Sequence, residues 1–210
     1  MRSYHKIVTV WTRDPATSYK ALVEGEWATP EFAYLKDNQW LFSEKFDGMN
    51  VRVGWDGETV TFGGRTDRAN IPAKLVARLI ELFPAEKFVA FDGPVVLFGE
   101  GYGGGIQKGG GKYREDQGFI LFDVYVGEDQ GIWLERDNVV DIAENMGIDA
   151  VPVVGVGPLE DAIAWVRHPL KSTIGDHEME GLVMRPAVEL LDRRGSRVIT
   201  KIKAKDFKGA

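Results

Sequence analysis

Residues 95–126 read VVLFGEGYGGGIQKGGGKYREDQGFILFDVYV and contain the most specific pattern in the chain. Apolar runs at Val95–Phe98 and Phe119–Val126 have the length and composition of buried strands. Residues 99–118, between them, are rich in glycine, with eight glycines in the first thirteen positions. Two such strands around a glycine-rich segment predict a sheet that carries an irregular, functional loop over residues 99–118.

The same strand pattern, an apolar run flanked by glycine or Asp-Gly turns, recurs along the chain. We predict further strands at Ile7–Trp11, Trp40–Lys45, Val51–Trp55, Thr59–Phe62, Gly181–Met184 and Val198–Lys203. Helical periodicity, bounded by a preceding proline or a following glycine, predicts helices at Ala73–Leu82, Asp137–Met146 and Leu159–Val166. Strands dominate, so the sequence indicates a mixed α+β fold, continuous over the chain and without a repeat or a linker.

Length and composition restrict the class of protein. The 210 residues suffice for one sizeable core, and 44% apolar with 28% charged residues is ordinary for a globular protein. No apolar run is long enough to span a bilayer, and the first residues do not form a secretory signal, so we expect a cytoplasmic protein. The absence of cysteine excludes disulfides, thiolate nucleophiles and cysteine-based metal sites.

The charge distribution is uneven, although a net charge of −6 at first argues against an acidic partner. Residues 193–210 hold seven basic residues and one acidic residue, a net charge of +6, so the rest of the chain carries −12. Strand alternation over Val198–Lys203 would put Lys201 and Lys203 on one face, where the pair suits a phosphate. The alternative is a solvated, fraying tail. The basic residues are Arg193, Arg194, Arg197, Lys201, Lys203, Lys205 and Lys208.

The tetrapeptide Lys45-Phe46-Asp47-Gly48 ends an apolar run, and its lysine is a candidate nucleophile. An amine nucleophile must be neutral, whereas an unperturbed lysine, with a pKa of about 10.4, is protonated near neutral pH. Partial burial and nearby cations such as Lys201 and Lys203 would disfavour a further positive charge and so favour the neutral amine. The alternative interpretation is a surface charge at a strand end.

Carboxylates stand beside two other apolar runs. Glu100 follows Val95–Phe98 and could hold a ribose hydroxyl or a metal-bound water, or be solvated. Glu180 precedes Gly181–Met184, and an acid at a strand end suits magnesium, which commonly bridges one or two carboxylates to substrate phosphates. The glycine-rich segment fits neither a dinucleotide-binding turn nor a P-loop, because glycines continue where the helix should begin and the P-loop order is missing.

Three motifs occur in a recognisable order: Lys-x-Asp-Gly at Lys45, Glu-Gly before an apolar strand at Glu180, and Lys-x-Lys at Lys201. They resemble the motifs of the covalent nucleotidyltransferase superfamily, which contains DNA ligases, RNA ligases and mRNA capping enzymes. The resemblance covers residues from about 40 to 207. It implies a ligase- or capping-type nucleotidyltransferase domain, ATP-grasp-like, with antiparallel sheets flanked by helices.

Within that superfamily the chain is most similar to ATP-dependent RNA ligases of the RNA-ligase-2 branch. Phe98-Gly99-Glu100 continues through Gly105-Ile106-Gln107-Lys108 to Phe119–Val124, and this order carries the similarity. The resemblance implies that Lys45 attacks the α-phosphorus of ATP, releases pyrophosphate and holds AMP as a phosphoramidate. A 5′-phosphate would then receive AMP, and a 3′-hydroxyl would displace it to form a phosphodiester.

The resemblance also implies roles for the other site residues. Lys201 and Lys203 would contact the α-phosphate and stabilise its developing negative charge. The nucleoside would be held by Phe122 stacked on adenine, Glu44 on the adenine side, and Arg65 and Glu100 at the sugar. Asn50 and Glu180 would place phosphate and metal, with Glu180 and Glu100 as candidate ligands of Mg²⁺ or Mn²⁺.

Only seven residues follow Lys203, fewer than an OB domain or the helical C-terminal domain of RNA-ligase-2-like enzymes requires. We therefore expect residues 1–210 to form a single adenylyltransferase domain that is naturally minimal, a fragment, or completed by an accessory domain or subunit in trans. RNA is preferred over DNA on the basis of Gly105–Lys108 alone. The alternatives are a DNA ligase acting on nicked duplex, a capping guanylyltransferase that would favour GTP, and a non-catalytic module that binds nucleic acid or adenylate.

Overall fold

Thirteen strands and four α-helices lie within residues 1–207, the part of the chain that the computed structural model describes. Lys208 of the predicted basic tail lies outside the described residues. The strands are β1 (Val8–Thr9), β2 (Trp11–Arg13), β3 (Leu22–Trp27), β4 (Trp40–Glu44), β5 (Met49–Trp55), β6 (Val60–Gly64), β7 (Val95–Gly103), β8 (Gln117–Val126), β9 (Ile132–Trp133), β10 (Asp149–Ala150), β11 (Val153–Gly157), β12 (Gly181–Pro186) and β13 (Thr200–Lys203). The helices are α1 (Pro30–Leu35), α2 (Ala73–Leu82), α3 (Arg136–Met146) and α4 (Leu159–Arg167).

Two compact units divide the chain, each with an apolar core of its own. Unit 1 consists of Met1–His5 and Asp47–Val151, and unit 2 consists of Lys6–Phe46 and the chain from Pro152 onward. The chain therefore passes from one unit to the other within the predicted lysine motif, between Phe46 and Asp47. A single domain over residues 1–210 stays a prediction.

Unit 1 is built on a mostly antiparallel sheet with the strand order β10-β8-β7-β5-β6 and with β9 paired to β8. Helices α2 and α3 pack on one face, where Leu75 and Leu79, one turn apart on α2, are fully buried. A smaller apolar cluster around Phe98 and Tyr125 includes the half-buried rings of Tyr4, Phe122 and Trp133. The sheet of unit 1 therefore carries a main core and a separate aromatic cluster.

Unit 2 is built on a sheet with the strand order β1-β13-β12-β4-β11, in which only the β1–β13 pair is parallel. Trp40 and Phe42 alternate inward from β4, and Ile202 does so from β13. They pack against α4, whose Leu159, Ile163 and Val166 form its buried face. A separate ribbon pairs β2 with β3.

The glycine-rich segment differs from its sequence-based prediction. An irregular loop over residues 99–118 was expected, but β7 continues to Gly103 and β8 already begins at Gln117. Gly99 and Gly101 are paired on both edges, with β5 and with β8. A Cβ at Gly99 would lie 2.1 Å from the Phe119 ring, and one at Gly101 would lie 2.5 Å from Leu75 Cδ2. These glycines allow close packing in a central strand, so they do not mark a loop.

The other predicted elements are found with shifts of a few residues at their ends, except that Ile7–Trp11 is divided into β1 and β2. The mixed fold with antiparallel sheets is therefore confirmed. The sequence did not predict α1, β3 or the short strands β9, β10 and β11. Of these, β10 and β11 pair with distant segments of β8 and β4, which no local pattern indicates. Across residues 1–207, none of the helices has both the length and the apolar character needed to cross a membrane.

Candidate functional site

Three strand ends meet at one edge of the unit 2 sheet. The central strand β12 runs antiparallel to both β4 and β13, so its start lies beside their ends. Gly181 pairs with Lys203, and the Lys45 N–H donates to the Gly181 carbonyl oxygen at 2.9 Å. This arrangement brings Lys45, Glu180 and Lys203 together although Lys45 and Glu180 are 135 residues apart.

Glu180 lies between two lysines. Its Oε2 is 2.6 Å from Lys45 Nζ, and its Oε1 is 2.5 Å from Lys203 Nζ. All three side chains are mostly buried, with exposed fractions of 15–20%. Burial by itself would raise the pKa of Glu180, but the charges and hydrogen bonds of Lys45 and Lys203 outweigh it and hold that pKa below its ordinary value of 4.5. The three groups together keep one net positive charge, which favours an anionic ligand.

Lys201 lies on the same strand as Lys203. Ile202, between them, is buried in the unit 2 core, so Lys201 and Lys203 project from the opposite face of β13. Lys201 is half-buried and is paired across the strands with Val183 of β12. The structure thus places both lysines of the Lys-x-Lys motif on one face, in the same unit as Lys45.

Glu44, next to the candidate nucleophile, has a different environment. It is 1% exposed, and its Oε1 accepts a hydrogen bond from the Ser172 hydroxyl at 2.5 Å. Its Oε2 accepts from the Thr173 N–H at 2.8 Å and from the Thr173 hydroxyl at 2.5 Å. Glu44 therefore ties the segment that leads to Glu180 onto the end of β4. Its contact with adenine stays a prediction, and no feature of the sequence indicated Ser172 or Thr173 as partners.

Unit 1 holds the remaining candidates. Asn50 of β5 lies directly across from Glu100 of β7, and both are half-buried. The Gly48 N–H donates to Glu100 Oε1 at 3.2 Å, so Glu100 also holds the turn of the lysine motif. Arg65 follows the end of β6 and is exposed. The structure thus brings Asn50 and Glu100 together, whereas Arg65 lies on an adjoining loop.

Phe122 lies at a β-bulge. Phe98 pairs with Asp123 and Gly99 pairs with Leu121, so Phe122 is the extra residue on β8. A bulge redirects a side chain and is often found beside a functional site. The Phe122 ring is half-buried and meets the Tyr4 ring edge-on, with centroids 5.0 Å apart. It belongs to the aromatic cluster of unit 1, not to the main core.

Two further residues hold the lysine motif, and they lie in or beside the glycine-rich segment. The Asp47 N–H donates to the Tyr113 hydroxyl at 3.1 Å, and Gln107 Nε2 donates to the Gly48 carbonyl oxygen at 2.9 Å. A Cβ at Gly48 would lie 2.2 Å from the Gly101 carbonyl oxygen, so only glycine fits there. Gln107 belongs to the Gly-Ile-Gln-Lys pattern, which was a usable signal, but Tyr113 had none.

The two candidate metal ligands, Glu180 and Glu100, each provide a single carboxylate and, in the part of the chain that the structure describes, do not belong to a cluster of ligands. Within residues 1–207 no group of three or more histidine, aspartate or glutamate side chains is arranged to hold a metal ion. Glu180 belongs to unit 2 and Glu100 to unit 1. A lone carboxylate fits a hard cation such as Mg²⁺, which usually takes one or two protein carboxylates and completes its shell with phosphate oxygens and water.

Comparison with known proteins relates the chain to one family. The family model described as RNA ligase matches residues 38–203. A comparison with the curated proteins finds no match. Solved structures of Naegleria gruberi RNA ligase share the fold. A mutant with ATP and Mn has a TM-score of 0.68 and 19% identity, and the match covers 96% of this chain and 56% of that one.

Two further structures of the Naegleria gruberi enzyme give similar values. The enzyme with PPi has a TM-score of 0.64 and 21% identity, covering 85% of this chain and 53% of that one. A mutant with AMP and Mn has a TM-score of 0.66 and 19% identity, with the same coverage. The present chain thus spans about half the length of these structures. The family match extends over most of the chain and includes every site residue discussed above, and on this basis the chain belongs to the RNA ligase family.

Proposed function

We propose that this chain is an ATP-dependent RNA ligase domain that works through a lysyl-AMP intermediate on Lys45. The observation that carries the proposal is the Lys45–Glu180–Lys203 cluster, which combines a candidate amine nucleophile with a second cation and a carboxylate. Membership of the RNA ligase family supports it, as do the structures of the Naegleria gruberi enzyme with ATP, AMP, PPi and Mn. The finer fold assignment, a single ATP-grasp-like nucleotidyltransferase domain in a cytoplasmic protein, is part of the same proposal.

The first step forms a bond between Lys45 Nζ and the α-phosphorus of ATP and breaks the bond to pyrophosphate. In the structure Lys45 donates to Glu180, as an ammonium group does, whereas attack requires the neutral amine. The lysine must therefore release a proton to solvent before or during attack. Lys201 and Lys203 keep their charge and would stabilise the negative charge that develops on the α-phosphate.

The residues of unit 1 would bind the nucleoside. Phe122, redirected by the bulge, would stack on adenine, and Arg65 and Glu100 would contact the sugar. Glu44 of unit 2 would lie on the adenine side, while Asn50 and Glu180 would help to place the phosphates. Glu180 and Glu100 would supply carboxylate ligands to Mg²⁺ or Mn²⁺, which would offset phosphate charge.

The second half of the reaction would join two strands. AMP passes from Lys45 to a 5′-phosphate, and a 3′-hydroxyl then attacks that phosphorus and releases AMP. RNA is the proposed substrate in preference to DNA. The chain spans about half the length of the Naegleria gruberi structures. We propose that an accessory domain or a subunit in trans contributes to binding of the RNA strand.

Intact mass after incubation with ATP and Mg²⁺ or Mn²⁺ tests the first step. We expect an added AMP on the wild type and on Lys74→Ala, an exposed lysine of α2, but none on Lys45→Ala. The adduct should withstand hydroxylamine and be lost in acid, as a phosphoramidate is. Protein should first be treated with pyrophosphate to remove AMP already bound, and pyrophosphatase should be present during the reaction. No adduct on the wild type would leave the non-catalytic binding module as the better account.

Competition between RNA and DNA nicks tests the substrate. We expect a 5′-phosphate and a 3′-hydroxyl in RNA to be joined faster than the same ends in DNA. Equal or faster joining of DNA would favour the DNA ligase alternative, and labelling by GTP in place of ATP would favour a guanylyltransferase.

A further inference from the structure

Arg52 is a buried arginine in the middle of β5 in unit 1. Only 1% of its side chain is exposed, and its neighbours on the strand, Val51 and Val53, belong to the main core. A charged side chain is almost never buried to this degree unless its donors are paired. The partners of the Arg52 guanidinium therefore show which parts of unit 1 its burial holds together.

Four hydrogen bonds connect Arg52 to two other segments. Nε donates to the Gly64 carbonyl oxygen at 2.6 Å, and Nη2 donates to Asp67 Oδ1 at 2.7 Å. Nη1 donates to the carbonyl oxygens of Met1 and Arg2 at 3.2 and 3.4 Å. One planar group thus binds the start and the end of the segment Gly64–Asp67 and also the first residues of the chain.

A glycine in β6 leaves room for the Arg52 side chain. Arg52 pairs across the strands with Gly63, where a Cβ would lie 3.0 Å from Arg52 Nη2. Asp67 is 83% exposed, and the hydrogen bond and charge of Arg52 lower its pKa, so Asp67 is ionised at neutral pH. Residues 65–68 are all exposed, so the contacts of Arg52 at the two ends of this loop contribute to its conformation.

We propose that Arg52 is a positioning residue that holds the loop Gly64–Asp67 in one conformation and thereby orients Arg65 toward the sugar of the bound nucleotide. This inference rests on the proposed function, in which Arg65 contacts the nucleotide sugar. Arg52 is too deeply buried to contact the nucleotide itself, so it acts through the loop. Holding a binding side chain in place in advance reduces the conformational entropy lost when the ligand binds.

A double-mutant cycle on the rate of AMP adduct formation tests the proposal. Arg52→Lys keeps the charge but loses the planar group whose three nitrogen atoms donate separately to Gly64, to Asp67 and to the first residues of the chain. We expect it to raise the ATP concentration needed for half-maximal rate about tenfold and to change the maximal rate less than about threefold. In an Arg65→Ala background, Arg52→Lys should cause no further change, because its effect passes through Arg65.

A matched control is Arg78→Lys, which alters another arginine–carboxylate pair, Arg78–Glu81 on α2, at 2.9 Å. Its ATP dependence should equal that of the wild type. If the effects of Arg52→Lys and Arg65→Ala simply multiply, Arg52 does not act through Arg65 and the proposal is wrong. It is equally wrong if Arg52→Lys lowers the melting temperature and the maximal rate while the half-maximal ATP concentration stays unchanged.

Hydrogen exchange separates this inference from the proposed function. The Ala69 N–H donates to the Thr66 carbonyl oxygen at 3.0 Å and reports the order of the loop. We expect faster exchange at residues 65–69 in Arg52→Lys and in Asp67→Ala, which changes only an exposed side chain, but not in α2. Unchanged exchange would overturn the positioning role whatever the activity.

If the wild type forms no AMP adduct, the proposed function fails by that result alone. Equilibrium binding of ATP then replaces the rate in the same cycle. An unchanged dissociation constant in Arg52→Lys, or no ATP binding by the wild type, would overturn the link between Arg52 and the nucleotide.

Discussion

Glu44 and Glu180, the two glutamates beside Lys45, differ in their hydrogen-bond partners and therefore in their roles. Glu44 is fully buried and accepts hydrogen bonds from the neutral hydroxyl and amide groups of Ser172 and Thr173. Glu180 remains partly exposed and is bound by two ammonium groups. Glu44 is therefore a structural acceptor that holds a segment in place. Glu180 instead balances the charge of Lys45 and Lys203.

Replacing Glu180 by glutamine tests this charge balance. At pH 7 we expect Glu180→Gln to reduce the free energy of unfolding by about 1–3 kcal/mol, because two mostly buried lysines lose their counter-charge. The folded-state pKa of Glu180 lies below 4.5, so its ion pairs stabilise the fold above about pH 4.5. That contribution is lost as the pH falls through the lower folded-state value.

Urea unfolding at several pH values between 7 and 3 measures the effect. The difference between wild type and Glu180→Gln should be constant down to about pH 5 and should shrink below about pH 4.5. Glu58→Gln, at an exposed hairpin turn, serves as the control and should match the wild type. A difference that persists unchanged to pH 3 would show that Glu180 does not stabilise the fold through its charge.

Strand β7 is extended along its whole length, although the second half of it has a composition that is typical of a loop. Four of its nine residues are of ordinary strand type, Val95–Phe98, and the following Gly-Glu-Gly-Tyr-Gly would favour a loop. Pairing on both edges and the close approach of Phe119 and Leu75 keep this part extended. The extension places Glu100 opposite Asn50 and beside Gly48, which a loop would not do.

Alanine substitutions distinguish the packed glycines from the free ones. Gly99→Ala puts a Cβ 2.1 Å from the Phe119 ring and 2.6 Å from the Ile120 carbonyl oxygen, so we expect a loss of about 2–4 kcal/mol of stability. Gly109→Ala meets nothing within 4 Å and should change stability by less than about 0.5 kcal/mol. Denaturant midpoints measure both. Equal midpoints for the two variants would mean that β7 yields at Gly99 as a loop does.

Over the whole molecule, the positive charge is concentrated in one stretch of an acidic chain. The net charge is −6, yet residues 193–210 carry +6, and Lys201 and Lys203 of this stretch lie on one face of β13. A polyanion should therefore bind locally, against repulsion from the rest of the chain. In the proposed function ATP is small and would contact buried or half-buried cations, which salt screens less than it screens exposed ones.

Salt should separate the two halves of the proposed reaction. Between about 50 and 200 mM NaCl, at RNA concentrations below saturation, we expect strand joining to fall at least about tenfold, because counterion release drives binding to the strand. AMP adduct formation on Lys45 should change less than about threefold. Single-turnover rates of both steps at matched ATP make the comparison. Strand joining that changes less than about threefold over this range would contradict the prediction, because it would mean that few charged contacts hold the RNA.

Several features of this protein can be predicted from its sequence alone, because they depend on local patterns of residues. Alternation over Val198–Lys203 placed Lys201 and Lys203 on one face, and proline and glycine boundaries placed the three longer helices within one residue. The order of the motifs around Lys45, Glu180 and Lys201 indicated the family that the comparison then showed. These features are readable because side-chain periodicity follows from backbone geometry within one element.

Only the tertiary structure decided which groups meet. Glu180 contacts Lys45 across 135 residues, Glu44 contacts Ser172 across 128, and Arg52 contacts Met1 across 51. None of these pairs follows from local periodicity, because strand order and register arise from packing whole sheets against their helices. The extended glycines of β7 and the bulge at Phe122 have the same origin. The residue types therefore indicated what kind of chemistry the site could carry. Long-range packing determined which residues meet, and so which glutamate pairs with lysines and which one holds a neighbouring segment.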